Sequence, residues 1–284
     1  MALRDRRPSV SGSFYEGSRR ALVEQIEWCF LHRVGPGRLP ERGPKPGRRS
    51  VIGAVAPHAG YIYSGPVAAH TYYEISKEPP PEVVVLIGPN HTGYGAGVSV
   101  WGGGKWETPL GKAEVDSAVV ASISKSGAVE VDEDAHIHEH SLEVQLPFLQ
   151  YLFGDRLKIV PICMMLQDFE TASELGSAVA ASLSGRSSVV IASTDFSHYV
   201  DYRSAYTRDS EVCAAIERMD ARSVGETVRR RGISMCGPGP VMATIIASAQ
   251  LGARSAKKLC YATSGDTSGP KAEVVGYGSF AFFV

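Results

Sequence analysis

The chain has 284 residues, of which 44% are hydrophobic, and its formal net charge is −1. This length is enough to bury a full hydrophobic core, and the balanced charge argues against a nucleic-acid partner, because duplex binding needs a basic face. The sequence has no apolar run of about 18 residues and no apolar signal-peptide core near Met1, so we expect a soluble cytoplasmic protein without a membrane partner.

The first predicted element is a helix over residues 19–31, where Leu22, Ile26 and Phe30 recur at helical spacing. Residues 34–50 follow and are rich in Gly, Pro and Arg. This composition predicts a surface loop, with mobility as an open alternative. The segment before the loop is too short to form a domain by itself, so we expect a single domain over residues 1–284.

After residue 50 the pattern alternates between strands and helices. Short β-branched runs predict strands that are buried on both faces, and these runs cover 51–56, 83–87, 159–162 and 188–192. Helices are predicted over 67–76, 117–125, 141–153, 171–183, 203–219 and 241–250. Such alternation predicts a three-layer αβα sandwich with a mostly parallel central sheet. A hairpin of 257–263 with 273–284 would make that sheet mixed, and 95–110 could add short strands.

Polar residues follow the ends of separate predicted strands. They are His58, then Asn90 and His91, then Asp195 and His198. Ligands of open α/β sheets bind outside the carboxyl ends of the strands, so we expect these side chains to meet at one edge. Two histidines with a carboxylate suit non-haem iron. The simpler alternatives are histidines with structural roles and an asparagine that stands in a turn by chance.

Cys236 is the cysteine with the most distinctive surroundings among five that include no CxxC pair, a pattern that argues against disulfides and a zinc ribbon. It lies in a Pro- and Gly-rich turn before the predicted helix 241–250. A thiol at a helix N-terminus has a lowered pKa and is a better ligand or nucleophile. The alternative is a buried cysteine that caps the turn.

The segment 135–140 holds three histidines and runs into a predicted helix. We expect His140 and Glu143 to share a helix face, with one of them reaching the site as a proton donor or as a partner of a metal ligand. His136 and His138 are expected in an exposed loop. Pro147 indicates a kink, or a helix that starts nearer Val144.

Several of these motifs together resemble the Memo family. The matching stretches are 12–15, 56–65, 87–93, 138–148, 193–199 and 236–240. The resemblance implies a fold similar to class III extradiol dioxygenases, which use non-haem iron, and a metal held by His58, His91 and Cys236. The ring-cleaving enzymes have a glutamate where this chain has a cysteine, which argues against ring cleavage. The resemblance also implies a partner from a radical-SAM pathway.

From both lines of reasoning we predict a metal-dependent oxidoreductase that uses iron or copper, with zinc as an alternative. Its ligand would be a small molecule or a peptide. The predicted catalytic residues are Asp195, His198 and His140, and the predicted substrate-binding residues are Asn90, Tyr61 and Glu143. Two other functions stay open: a non-catalytic binding module that uses the same cleft, and a metal-dependent hydrolase with Asp195 or His198 as general base.

Overall fold

A computed structural model describes residues 4–41, 45 and 47–284. Its helices, in chain order, are α1 Arg19–Leu31, α2 Tyr61–Ser76, α3 Ser117–Ser124, α4 Asp134–Ile137, α5 Leu146–Phe153, α6 Phe169–Ser182, α7 Tyr202–Glu217, α8 Ala221–Arg231, α9 Pro238–Gln250 and α10 Ser264–Thr267. Its strands are β1 Val51–Ala56, β2 Val83–Pro89, β3 Val98–Val100, β4 Lys105–Thr108, β5 Gly111–Val115, β6 Glu130–Val131, β7 Lys158–Met164, β8 Ser188–Ser193, β9 Ser255–Thr263 and β10 Gly276–Phe283.

The strands form one mixed sheet in the order β4-β5-β7-β2-β8-β1-β10-β9, and β3 pairs with β7 and β6 beside that path. Neighbours from β5 to β1 run parallel, whereas β10 is antiparallel to both β1 and β9. The predicted hairpin and the mixed sheet are therefore confirmed. Because β1, β2, β7 and β8 are parallel, their carboxyl ends lie at the same edge of the sheet.

Helices cover both faces of the sheet. One layer contains α1, α2 and α5, and the other contains α3, α6, α8 and α9, with α7 packed on α8. The middle strands β2 and β8 are buried along their whole length, as their β-branched runs predict. The α/β class with its mostly parallel central sheet is thus confirmed.

The predicted start of α2 is wrong. This helix begins at Tyr61 rather than at residue 67, so its first turn follows His58 closely. Gly65 and Pro66 lie inside it, and because both are poor helix formers they hide the pattern. The helix α8 was also not predicted. The helix α5 begins at Leu146 after a 3₁₀ turn, which confirms the late start that Pro147 indicates.

The segment 34–50 is only partly covered, since residues 42–44 and 46 lie outside the described residues. In its described part the chain forms neither a helix nor a strand, in agreement with a loop. Its mobility stays a prediction. Within the described ranges, none of the helices combines the length and the apolar composition needed to cross a lipid bilayer.

Candidate metal centre

Three histidines converge beyond the carboxyl edge of the sheet. His58 follows β1, His91 follows β2, and His140 lies between α4 and the 3₁₀ turn. One potential ligand atom from each lies within 4.8 Å of those of the other two. The ring centroids of His91 and His140 are 4.6 Å apart in a stacked pair, and the His58 ring stands edge-on to both. This three-histidine cluster, His58, His91 and His140, could hold a metal ion.

The ring of His58 is oriented from behind by Ser193. The His58 Nδ1 lies 2.9 Å from the Ser193 hydroxyl, which donates its only proton to the Ser141 carbonyl at 2.6 Å. The same hydroxyl accepts a hydrogen bond from the Gln145 amide at 2.7 Å. Because its proton is already used, the hydroxyl must accept from His58, so Nδ1 carries the hydrogen. The Nε2 lone pair of His58 is then left for a ligand.

Glu139 orients the other two rings. Its carboxylate accepts hydrogen bonds from the His91 Nδ1 at 2.9 Å, from the His91 backbone N–H at 2.5 Å and from the Ser141 backbone N–H at 2.8 Å. The Nδ1 of His140 lies 3.4 Å from the same carboxylate. Burial raises the pKa of Glu139, but the hydrogen bonds from His91 outweigh it and hold the pKa at about 2. An ionised carboxylate only accepts, so His91 also keeps its proton on Nδ1.

Electrostatics keeps the buried rings neutral. Burial lowers the pKa of His58 well below its ordinary value, and the neighbouring His140 and His91 lower it further. Burial also lowers the pKa of His140, to about 4. Neutral imidazole is the form that binds metals. His58 and His140 therefore present nitrogen lone pairs at neutral pH rather than positive charges.

Cys236 lies beside this cluster, and its Sγ is 3.2 Å from the His58 Nε2. The Asp195 backbone N–H donates to the sulfur at 3.1 Å. Burial and the Asp195 carboxylate raise the pKa of the thiol, so the lowered pKa predicted from the helix N-terminus is wrong. The turn is tightly packed, since a Cβ at Gly237 would lie 2.8 Å from the Ser193 carbonyl. Metal ligation by Cys236 stays a prediction.

Asp195 and His198 line the same region. The Asp195 carboxylate is buried and accepts from the His58 backbone N–H at 2.8 Å, and burial raises its pKa above the ordinary value. The Nδ1 of His198 donates to the Ser234 carbonyl at 2.8 Å, which leaves its Nε2 free to accept a proton. Both residues are electrostatic neighbours of the cluster, as the sequence predicts.

The predicted substrate-binding residues have other partners. Asn90 shapes the loop after β2, where its Oδ1 accepts from the backbone of Thr92 and Gly93. Tyr61 is buried and its hydroxyl donates to the Val144 carbonyl at 2.7 Å. Glu143 is completely buried, with both oxygens occupied. Nothing in this geometry supports a direct contact of these three side chains with a substrate, and that role stays a prediction.

Two expectations about the histidine-rich segment are wrong. His136 is completely buried against Trp101 and Trp106 rather than exposed, because it lies in the short helix α4 that packs inward. His140 and Glu143 share no helix face, since His140 precedes the 3₁₀ turn and points to the cluster, whereas Glu143 pairs with Arg6. His138 is exposed, as predicted.

The sequence did not indicate which residues form hydrogen bonds with the candidate metal ligands. It placed His140 among the catalytic residues rather than among the candidate ligands, and it did not single out Glu139, Gln145 or Ser193. A usable pattern was present, because Glu139, His140 and Gln145 all lie in the histidine-rich stretch 138–148. These side chains point towards the site because the stretch folds back on the sheet. The spacing of residues along the sequence does not reveal this fold.

Comparison with known proteins gives one consistent result. A family profile described as "Memo-like protein" matches residues 6–281. A MEMO1 family protein of Methanopyrus kandleri is 47% identical, covering 98% of this chain and 99% of its own. A MEMO1 family protein of Methanothermobacter thermautotrophicus is 49% identical, covering 96% of this chain and 98% of its own. A third, from Saccharolobus solfataricus, is 46% identical over 96% and 97% of the two chains.

Among solved structures, an uncharacterised protein of Escherichia coli K12 has a similar fold. The two structures superpose with a TM-score of 0.51 at 13% sequence identity, covering 80% of this chain and 99% of that chain. At this low identity the likeness shows a common fold alone.

Proposed function

This chain belongs to the Memo family, and from that premise we propose that it is a mononuclear metal-dependent oxidoreductase whose ion, iron or copper, is held by the three-histidine cluster. The observation that supports the proposal is the convergence of His58, His91 and His140 with ligand atoms within 4.8 Å of one another. Catalytic metal sites commonly use three protein ligands and leave a position open for a substrate or water.

The three-histidine cluster is suited to a metal ion by the protonation of its rings and by its access to solvent. The hydrogen bonds that Ser193 and Glu139 accept place the protons of His58 and His91 on Nδ1, which leaves Nε2 as the ligand atom. Histidine ligands of metals almost always have such a partner behind them. The cluster is also open to solvent on one side, because 34% of the His91 side chain is exposed. A ligand could therefore reach the ion.

Iron or copper follows from the resemblance to the iron-dependent extradiol enzymes, since the nearby thiol suits several metals. Cys236 Sγ lies 3.2 Å from the His58 Nε2, and sulfur together with imidazole suits copper, iron and zinc. A bound redox metal would supply electron transfer to a substrate or to oxygen. The chain itself would orient the ligands through Glu139 and Ser193, and the free Nε2 of His198 would accept a proton from the substrate.

A metal-dependent hydrolase is the second candidate. Three imidazoles are also a zinc ligand set, and zinc lowers the pKa of its bound water. The buried Asp195, whose pKa burial raises above the ordinary carboxylate range, favours this reading because a general base works best when its pKa lies closer to neutrality. Zinc in the protein as purified would favour this candidate.

Anaerobic purification without chelator, followed by elemental analysis, tests the proposal. We expect iron or copper at about one ion per chain in the wild type, whereas zinc would point to the hydrolase. The oxidoreductase proposal is wrong if the protein takes up no metal and if a small molecule that binds beside the three-histidine cluster binds His58→Ala as tightly as it binds the wild type. The site would then be a binding module.

A further inference from the structure

His140 has the weakest polar support of the three clustered rings. The Ser193 hydroxyl accepts a hydrogen bond from His58, and the Glu139 carboxylate accepts one from His91, both at 2.9 Å. The Nδ1 of His140 lies 3.4 Å from the Glu139 carboxylate, whereas a strong charge-assisted hydrogen bond spans about 2.7–2.9 Å. The position of this ring therefore depends on packing more than the positions of the other two do.

Three aromatic rings lie beside that of His140. Two belong to the cluster itself, since His91 stacks on His140 at 4.6 Å between centroids and His58 stands edge-on at 5.5 Å. The third is Phe14, whose ring centroid is 4.7 Å from that of His140 with the planes tilted by 46°. Aromatic pairs at such distances attract each other beyond the apolar area that they bury. Phe14 thus supports His140 from outside the cluster.

Contacts that do not involve the cluster hold Phe14 in place. Its backbone N–H donates to the Val10 carbonyl at 3.0 Å, and its carbonyl accepts from the N–H of Tyr61, the first residue of α2, at 2.8 Å. The next residue, Tyr15, donates its hydroxyl proton to the buried Glu143 at 2.7 Å. The Phe14 side chain is half-buried and packs against the hydrophobic core. Its ring is therefore in position before any ion binds.

We propose that Phe14 is a positioning residue that keeps His140 within reach of the metal ion, so that the cluster offers three ligands rather than two. A side chain loses rotational freedom when it binds an ion, and a ring that is already held in place has less freedom to lose. Phe14 touches neither the ion nor a substrate in this role and acts through His140. The inference rests on the proposed function, because it names the residue that prepares one of the proposed ligands.

Ring dynamics in the metal-free protein provide the first test. Relaxation of ¹³C in ring-labelled histidines of the full chain reports how rigid each ring is, and His140→Gln identifies the His140 signal. The order parameter of the His140 ring should fall from about 0.85 in the wild type to about 0.6 or less in Phe14→Leu. Phe14→Tyr keeps an aromatic ring and should restore the wild-type value. The ring of His58, held by Ser193, should stay rigid in both Phe14 variants.

Zn²⁺ affinity, measured by competition with a chromogenic chelator, tests whether Phe14 acts through His140. Zn²⁺ is redox-inert and binds imidazole. Phe14→Leu should weaken binding about tenfold in the otherwise wild-type chain, as the loss of groups that orient metal ligands typically does. The same change should have no further effect in His140→Ala, because its target is then missing. Phe153→Leu, at a half-buried position at the end of α5, is the matched control and should keep the wild-type affinity.

Each measurement can overturn the proposal. Equal His140 order parameters in wild type and Phe14→Leu would do so, as would a loss of Zn²⁺ affinity that persists undiminished in His140→Ala. Phe14→Leu and Phe153→Leu should have similar denaturation midpoints, and a far lower midpoint for Phe14→Leu would assign Phe14 a purely structural role instead. Metal uptake by the wild type decides the proposed function separately, because the relaxation comparison succeeds or fails in metal-free protein.

Discussion

The side chains behind the three-histidine cluster decide which ring nitrogen is available. The Ser193 hydroxyl accepts a hydrogen bond from the His58 Nδ1, and the Glu139 carboxylate accepts one from the His91 Nδ1. The same carboxylate lies 3.4 Å from the Nδ1 of His140. Glu139 is 1% exposed, so its charge is compensated by these contacts rather than by water. Glu139 therefore matters as much to the geometry of the three-histidine cluster as a ligand does.

Glu139→Gln should weaken metal binding by about 10- to 100-fold, as the loss of carboxylates behind histidine ligands typically does. The amide nitrogen cannot accept the hydrogen bonds that the carboxylate accepts from the His91 ring and backbone. Competition with a chromogenic chelator measures the affinity, and Glu170→Gln, at an exposed position, is the control. Equal affinities of the two variants would contradict the role given to Glu139.

His136 should make stability depend on pH. Burial, reinforced by Arg6, lowers its pKa from 6.5 to about 3. Between these values the unfolded chain binds the proton and the folded chain does not, so the free energy of unfolding falls as pH drops from 6.5 towards 3. The full effect is on the order of a few kcal/mol.

His136→Phe removes this titration and retains a ring between Trp101 and Trp106. Urea unfolding across that pH range should give a flatter stability curve for the variant than for the wild type. His138→Phe, at an exposed position, should follow the wild-type curve. Parallel curves for wild type and His136→Phe would show that His136 does not stay neutral in the fold.

At the scale of elements, the N-terminal segment before α1 forms one wall of the site. The ring of Phe14 packs 4.7 Å from that of His140, centroid to centroid. Glu143 ties this segment down, because its oxygens accept hydrogen bonds from Arg6 at 2.7 Å, from the Ser9 backbone at 2.8 Å and from the Tyr15 hydroxyl at 2.7 Å. Glu143 thus holds in place the N-terminal segment that forms this wall, and its predicted contact with a substrate stays a prediction.

Arg6→Met should destabilise the fold by about 3–5 kcal/mol, because it leaves the buried Glu143 carboxylate without its cation. Chemical denaturation measures the change, and limited proteolysis should show earlier cleavage of the N-terminal segment. Arg20→Met removes an ion pair on the surface and should leave the free energy of unfolding almost unchanged. Similar denaturation midpoints for the two variants would contradict the anchoring role of the Arg6–Glu143 pair.

At the scale of the whole molecule, the sequence predicted the architecture better than the details of the site. The buried runs that became β1, β2, β7 and β8 predicted the parallel sheet, and the polar residues that follow β1, β2 and β8 predicted the shared edge. The burial of the strands follows from the local sequence pattern, and the position of polar residues after the strands follows from the general topology of α/β sheets. The sequence alone could therefore predict both features. The Memo resemblance is also confirmed.

What sequence reasoning could not supply depends on contacts between distant segments. The inward turn of His140, the burial of His136 and the raised pKa of Cys236 each arise from packing against other segments of the chain. The thiol illustrates the point, since its position before α9 suggested a lowered pKa, whereas the Asp195 carboxylate that helps to raise it comes from a distant segment.

Metal stoichiometry across single histidine variants tests the central claim most directly. Elemental analysis after anaerobic loading should give about one ion per wild-type chain, and His58→Ala, His91→Ala and His140→Ala should each lose it while staying folded by circular dichroism. His138→Ala, two positions from His140 but exposed, should keep the ion. If His140→Ala bound metal as fully as His138→Ala, the three-histidine cluster would not be the site that holds it.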